Sequence, residues 1–382
     1  MKHNRRIIYI AGFLFSIPIA LTSYVNSSLL GLYIDQYYIA LLYIVASVGT
    51  IGVLFSMTRL LTFFGNRKLT IIASIVSLIS FLILGLSENA VALMLAFILY
   101  FISFNIIFFC LDIFIEDFSK NSPIGGIRGL YLSITSIAWV ITQVISGSVI
   151  LKGSLPGVYL LSVLFILLII GMFSVFFRDF KDVHYKKISF IKGIKLCLKS
   201  DNITRIYVIN FILKFFYAWM VIYMPLYLHQ YIGFTWGEIG IIFSIMLIPF
   251  VVIEFPLGKL SDRIGEKKML ITGFVIITAS TIAISFFILP KLALWALILF
   301  LTRVGAAMIE IMSESYFFKL MNEKDAELVG FFRNTTPLSY IVAPLLAIPI
   351  LYFTSSIMYI FTTLVAVLLI GLFVSLRLRD VK

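Results

Sequence analysis

Lys214, Arg303 and Glu310 each stand inside a stretch that is otherwise almost wholly apolar. Ionisable groups in such surroundings pair with one another, line a wet cavity or exchange protons. Lys214 follows Arg205 by nine residues, about 14 Å of helix rise, so it sits deep in its apolar run. Arg303 lies at a similar depth in its own run. A lipid-facing charge at that depth is costly and too far from either surface to snorkel, so both are expected to face an interior cavity. A structural ion pair is the alternative reading. Glu310 and Glu314 follow Arg303 by seven and eleven residues, which puts all three within about 40° on one helical face. Arg303 and Glu310 are separated by about 10 Å of rise, so each needs a partner from another segment, from water or from a bound solute. A carboxylate in a partly dry site beside a movable cation suits reversible proton binding. Glu310 is the first candidate for that role and Glu254 the second, with permanent structural pairing as the alternative for either.

The polar and aromatic residues Tyr24, Asn26, Asn105, Gln143, Tyr217, Trp219, Tyr223, Asn334 and Tyr340 also fall in apolar stretches. Taken singly, each reads as helix–helix glue or an interfacial anchor. Taken together, Lys214, Arg303, Tyr217, Tyr223, Asn26, Gln143, Asn334 and Tyr340 outline a wet, aromatic-lined cavity for organic solutes, anionic ones included. Cys110 and Cys197 form no disulfide framework or thiolate site, and His3, His184 and His229 are scattered at segment ends. No metal or cofactor is expected.

The elements that must position these residues are membrane spans. Hydrophobic residues make up 62% of the 382 and charged residues 13%, with a mean hydropathy of +1.10, which excludes a water-soluble domain. A window of about 20 residues predicts twelve spans, near Ile7–Leu32, Tyr37–Thr58, Leu69–Leu86, Ala90–Leu111, Leu130–Leu151, Val158–Phe177, Ile206–Tyr231, Ile239–Leu257, Met269–Leu289, Leu292–Phe318, Leu328–Phe353 and Ile357–Leu376. The fold class is therefore an all-α integral membrane protein of twelve transmembrane helices. The net charge of +12 is spread over short connectors, not gathered on a polar domain, so a nucleic-acid partner is not expected. Lys and Arg crowd alternate connectors, and the opposite ones hold only Lys152 and Lys291. The positive-inside rule then puts both termini in the cytoplasm. The stretch Lys186–Leu196 alternates basic and apolar residues as an interfacial helix would; a calmodulin-like target is the sharper alternative.

Between the eighth and ninth predicted spans runs Gly258-Lys259-Leu260-Ser261-Asp262-Arg263-Ile264-Gly265-Glu266-Lys267-Lys268. Gly258 lets two helices approach, Asp262 offers an anion to a helix N-terminus, and Gly265 permits a tight turn before basic residues reach the headgroups. This segment closely resembles the G-x-L-x-D-R-x-G-x-(R/K)-(R/K) signature of the major facilitator superfamily. The resemblance implies two pseudo-symmetric six-helix bundles, here 1–178 and 204–382, joined by an amphipathic connector at 179–203 on the cytoplasmic side. Weak internal repeats agree with that: Gly65-Asn66-Arg67-Lys68 against Gly265-Glu266-Lys267-Lys268, and Gly129-Leu130-Tyr131 against Gly330-Phe331-Phe332. It further implies a monomeric secondary transporter in the cytoplasmic membrane, carrying a small organic solute by alternating access with proton coupling. Gly258, Asp262, Arg263, Gly265, Lys267, Glu314 and Arg333 would form its conformational latch, with Asp262 meeting the start of the fifth span near Gly125–Gly129. Asp112, Glu116 and Asp117 also resemble the charge relay around that loop, although helix capping explains the last two as well.

The sequence departs from the family pattern in three places. Arg303-Val304-Gly305-Ala306-Ala307 resembles an arginine–glycine signature usual in the fourth span, which here has no arginine. The antiporter signature of the fifth span would fall near Trp139–Gly147, where Gln143 stands instead of proline. In the first-half copy of the loop signature, Thr62 stands where the second has Asp262. No phosphate-binding loop accompanies an ATPase domain. Two rival readings are a lipid flippase on the same fold, which would show a laterally open groove, and a polytopic membrane enzyme, which would need a clustered acid–base or metal constellation.

Overall fold

The computed structural model describes residues 2–119, 124–178, 200–253, 256–257, 265–320, 332, 334–354 and 358–379. Most of the 179–203 connector, Glu254, Gly258, Asp262, Arg263 and Arg333 lie outside these residues, as do the side chains of Glu116, Asp117 and Gly125–Gly129 and the repeat at Gly330. The described chain is helical: α1 (Lys2–Ser23), α2 (Asn26–Leu30), α3 (Gln36–Phe64), α4 (Asn66–Leu86), α5 (Ala90–Ser119), α6 (Ile124–Lys152), α7 (Leu155–Phe176), α8 (Asp201–Leu226) with a π-helical turn at Tyr227–Ile232, α9 (Trp236–Val252), α10 (Glu266–Phe286), α11 (Leu292–Leu320), α12 (Thr335–Phe353) and α13 (Met358–Leu376). Among the described residues eleven helices are long and apolar enough to cross a membrane, and α9 is a shorter apolar helix. Together they make the twelve-helix membrane fold expected from hydropathy.

The first predicted span is not one helix. Its α-helix ends at Ser23 and resumes at Asn26. At the break the Val25 amide bonds back to the Thr22 carbonyl at 2.9 Å, one residue short of the α-helical partner, so the Leu21 carbonyl loses its usual donor. In an apolar core such a group must be satisfied by protein. Ser146 Oγ of α6 donates to Leu21 O at 3.1 Å, and Gln143 Nε2 donates to Ala20 O at 2.9 Å. Hydropathy could not report this break, because an interruption sealed by side chains leaves the apolar average intact.

The chain divides into two compact units, Met1–Lys187 with Thr235–Gly240, and Ile188–Phe234 with Ile241–Lys382. Inside the first, α1 packs on α6, α7 and α5, while α4 packs on α5 and α7. Inside the second, α8 packs on α12, α13 and α11, while α10 packs on α11 and α13. One pairing scheme is thus used twice at an interval of six spans. The contact of α3 with α5 has no equally extensive counterpart among the described residues of the second unit.

The repeat is also visible in single residues. Gly65 and Gly265 precede α4 and α10 with φ/ψ of 76°/158° and 89°/146°, a left-handed backbone that glycine adopts without steric cost. The next residue in each copy ties its helix to the one that follows. Asn66 Nδ2 donates to Cys110 O of α5 at 3.1 Å. Glu266, only 2% exposed, accepts from Lys319 Nζ of α11 at 2.5 Å.

In the second unit the α10–α11 contact fixes how α11 is turned. A Cβ added to Gly305 would lie 2.6 Å from the Gly273 carbonyl, and Ala306 and Ala307 are fully buried. The backbones therefore meet directly. With that strip of α11 held against α10, the face carrying Arg303 and Glu310 is presented to α8.

Candidate functional site

The four residues that α8 and α11 bring together are Lys214, Tyr217, Arg303 and Glu310. Lys214 Nζ donates to Glu310 Oε1 at 2.6 Å, and the Tyr217 hydroxyl donates to Glu310 Oε2 at 2.8 Å. Both carboxylate oxygens are thereby engaged from one helix, which supplies its lysine and tyrosine one turn apart. The pair is mostly but not wholly buried, with side-chain exposures of 19% for Lys214 and 24% for Glu310. Arg303 is 1% exposed. Its guanidinium lies over the Phe216 ring at 5.0 Å and the Tyr217 ring at 5.6 Å, while the Lys214 ammonium lies 5.3 Å from the same Tyr217 ring. Two cations thus face one aromatic ring, whose negative π face favours both, and Phe250 of α9 meets that ring edge-on at 6.1 Å. The ion pair that the stripe on α11 could not form within one helix is formed across two.

The first unit holds a different site, neutral throughout. Asn26, at the start of α2, donates through Nδ2 to the Tyr100 hydroxyl at 3.2 Å and accepts through Oδ1 from the Tyr159 hydroxyl at 2.8 Å. Thr22 Oγ1 lies 3.0 Å from the Tyr100 hydroxyl. Here the side chains bind each other and the broken helix, so Asn26 and Gln143, 3% and 2% exposed, join helices. Asn105 bonds only its own helix, at Phe101 O. Tyr223 and Trp219 are buried, ring against ring at 5.5 Å. Asn334 precedes α12 and Tyr340 lies on it, both half-buried. Glu314 sits half-buried one turn beyond Glu310, and Lys267 half-buried in the first turn of α10.

Sequence reasoning missed Phe216 as the platform under Arg303, and it missed Tyr100 and Tyr159. Both tyrosines lie in the middle of their apolar runs, where an interfacial anchor cannot reach an interface; that depth was the available signal. It also missed Asn210, which donates to Thr335 Oγ1 at 2.9 Å and joins α8 to α12.

The apolar helices of the described residues lie in two like-packed units, one of which holds a cation–carboxylate cluster. Over 98% of this chain and 99% of the other, it matches a crystal structure of a mutant of the nucleoside transporter NupG, with a TM-score of 0.78 at 12% identity. A second NupG structure matches with a TM-score of 0.76 at 12% identity, covering 99% and 100% of the two chains. A bacterial homologue of the human lysosomal transporter Spinster, in an inward-facing and unoccupied conformation, matches with a TM-score of 0.74 at 11% identity, covering 99% and 97%. Residues 206–382 match the family model of the Major Facilitator Superfamily. No curated protein matches in sequence. The second half of the chain thus matches the Major Facilitator Superfamily model, and the whole chain has the fold of the membrane transporters it resembles.

Proposed function

We propose that this protein is a secondary active transporter that moves a small organic solute by alternating access, driven by protons through Glu310. The observation that carries the reading is the Lys214–Glu310–Tyr217 contact, an ion pair about halfway along α8, inside an otherwise apolar stretch. When Glu310 is ionised it holds Lys214 and Tyr217. Once protonated, it has no charge with which to hold the ammonium, and the α8–α11 contact weakens. A proton can therefore bias two conformations of the transporter, provided their contacts at this pair differ. The basic connectors favour both termini on the cytoplasmic side. The Gly258–Lys268 loop, with Glu314 and Arg333, fits a latch that holds one state closed. NupG carries nucleosides, but 12% identity transfers the fold and leaves the substrate open.

The test is uptake into proteoliposomes of the purified full-length protein, with and without an inward pH gradient. Glu310→Gln keeps the side-chain shape but cannot cycle a proton. It should lose gradient-driven accumulation while retaining part of the substrate exchange. Full accumulation by the variant would remove Glu310 from the coupling role and pass it to Glu254.

A further inference from the structure

The geometry points to a binding site for an anionic phospholipid at one corner of the second unit, where the exposed side of α13 ends in Arg377. The corner can be built from its bonds. Arg205, near the start of α8, donates through Nη1 to the Arg377 carbonyl at 2.6 Å. The Tyr316 hydroxyl, near the end of α11, donates to the Arg379 carbonyl, and Leu378 between them is buried. Lys319 of α11 reaches Glu266 at the start of α10. The beginnings of α8 and α10 and the ends of α11 and α13 therefore share one membrane surface, and the main chain after α13 is pinned across it.

Helical periodicity decides which way Arg377 faces. On α13 Leu364, Leu368, Gly371 and Ser375 are buried, while Leu369, Ile370, Phe373 and Leu376 are 48–55% exposed. The four exposed residues and Arg377 fall within about 120° of one another around the helix, so Arg377 ends an apolar stripe that acyl chains cover. Its guanidinium lies back along that stripe, 4.2 Å from the centroid of the Phe373 ring. Among the described residues its side chain meets no carboxylate and no hydrogen-bond acceptor. Arg205, Lys267, Lys268 and Arg379 add positive charge to the same surface. The carboxylates there are Asp201, exposed and 3.4 Å from Arg205, and Glu266, engaged by Lys319, with Glu314 further in along α11.

The first unit supplies the internal comparison. The buried positions of α7 and α13 run in parallel 202 residues apart, from Val158 and Ile360 to Phe173 and Ser375 (360 − 158 = 375 − 173 = 202). At that interval Gly171 and Val175 match Phe373 and Arg377, and all four are exposed. The first unit thus ends the same stripe without charge, and Arg67 nearby is engaged by the Phe173 and Ser174 carbonyls. A general excess of basic residues at one membrane surface does not explain why the stripe itself ends in arginine in one unit only. A phosphodiester fits both halves of the site: its two anionic oxygens match the planar guanidinium fork, and its acyl chains follow Phe373, Ile370 and Leu369. A soluble anion would leave the stripe unused, and a zwitterionic headgroup carries a cation that competes with the arginine. The site concerns the membrane and not the solute, so it stands whether or not Glu310 couples a proton.

The experiment is native mass spectrometry of the purified full-length protein in detergent, titrated with phosphatidylglycerol and with phosphatidylcholine of the same acyl chains. Wild type should retain one phosphatidylglycerol in preference to phosphatidylcholine. A basic residue beside an anionic headgroup changes binding about fivefold, so Arg377→Gln should weaken that retention by about this factor. Arg377→Lys keeps the charge but not the fork and should fall between the two. Phe373→Leu keeps the stripe apolar, removes the ring under the guanidinium and should weaken retention about threefold. Arg59→Gln removes an exposed arginine of α3 in the first unit and should change nothing. Excess glycerol 3-phosphate, which has the phosphate without the chains, should not displace the lipid. Equal retention of the two lipids would deny headgroup selection and overturn the inference. An equal loss in Arg59→Gln and Arg377→Gln would reduce it to general surface attraction, and displacement by glycerol 3-phosphate would make it a free-anion site; either result overturns it as well.

Discussion

The strength of the Lys214–Glu310 contact can be measured apart from transport by a double-mutant cycle. Lys214→Met removes the charge and keeps most of the side-chain volume; Glu310→Gln removes the charge and keeps an acceptor for the Tyr217 hydroxyl. Removing one partner of a fully buried ion pair costs about 3–5 kcal/mol, whereas exposed pairs are worth about 0.2–1 kcal/mol. With side-chain exposures of 19% and 24% this pair lies between those limits, so each single variant should lose about 2 kcal/mol. The double variant leaves no orphan charge from the pair and should cost about the same as either single change, which gives a coupling of about 2 kcal/mol. The pair Arg205–Asp201 supplies the internal control: its 3.4 Å contact spans one exposed helical turn, with the aspartate 87% exposed, and its coupling should stay below about 0.5 kcal/mol. Reversible unfolding of the full chain in mixed micelles at neutral pH reads both cycles. Additivity at Lys214 and Glu310, within the few tenths of a kcal/mol expected of independent sites, would refute the ion pair as an energetic unit and with it the switch built on it.

Two further expectations concern the scaffold. Ser146→Ala leaves the Leu21 carbonyl unsatisfied in a buried position and should cost about 1–3 kcal/mol; Ser148→Ala removes only a bond to its own helix on an exposed face and should stay within about 0.5 kcal/mol. Equal midpoints for the two variants in the same unfolding assay would deny the sealing role. Gly305→Ala pushes a methyl against the Gly273 carbonyl and Ile277, so it should destabilise by about 1–3 kcal/mol and, by shifting α11, slow transport; unchanged stability and unchanged uptake would show that the α10–α11 contact does not set the site.

What the sequence made legible follows from the kind of signal each feature leaves. Spans are written in hydropathy, which composition alone reveals, and the six-span repeat is written in Gly65 and Gly265, because few residues besides glycine take that backbone readily. Lys214, Arg303 and Glu310 stood out because charge in hydrocarbon needs a reason. Which partner each would take was not legible. Lys214 and Glu310 are 96 residues apart, and only the rotation of α11, set by the Gly273–Gly305 contact, turns them towards each other. The break after Ser23 was hidden for the reason already given, and Asn26 and Gln143 looked like cavity residues because a side chain that seals a broken helix and one that binds a solute have the same composition.

The two units solve one packing problem in two chemistries. In the first, α1 meets α5 through groups without charge, Phe15 edge-on to Phe104 and Phe108 at 5.2 Å each and Thr22 Oγ1 3.0 Å from the Tyr100 hydroxyl. In the second, the equivalent helices α8 and α11 meet through Lys214, Tyr217 and Glu310. Ring contacts of this kind hold with the same strength at any pH, since nothing in them titrates. An ion pair depends on the charge of both partners, so its strength changes when either charge is removed. Under the coupling proposed for Glu310, a proton would loosen the first–fourth helix contact of the second unit and leave the same contact of the first as it is.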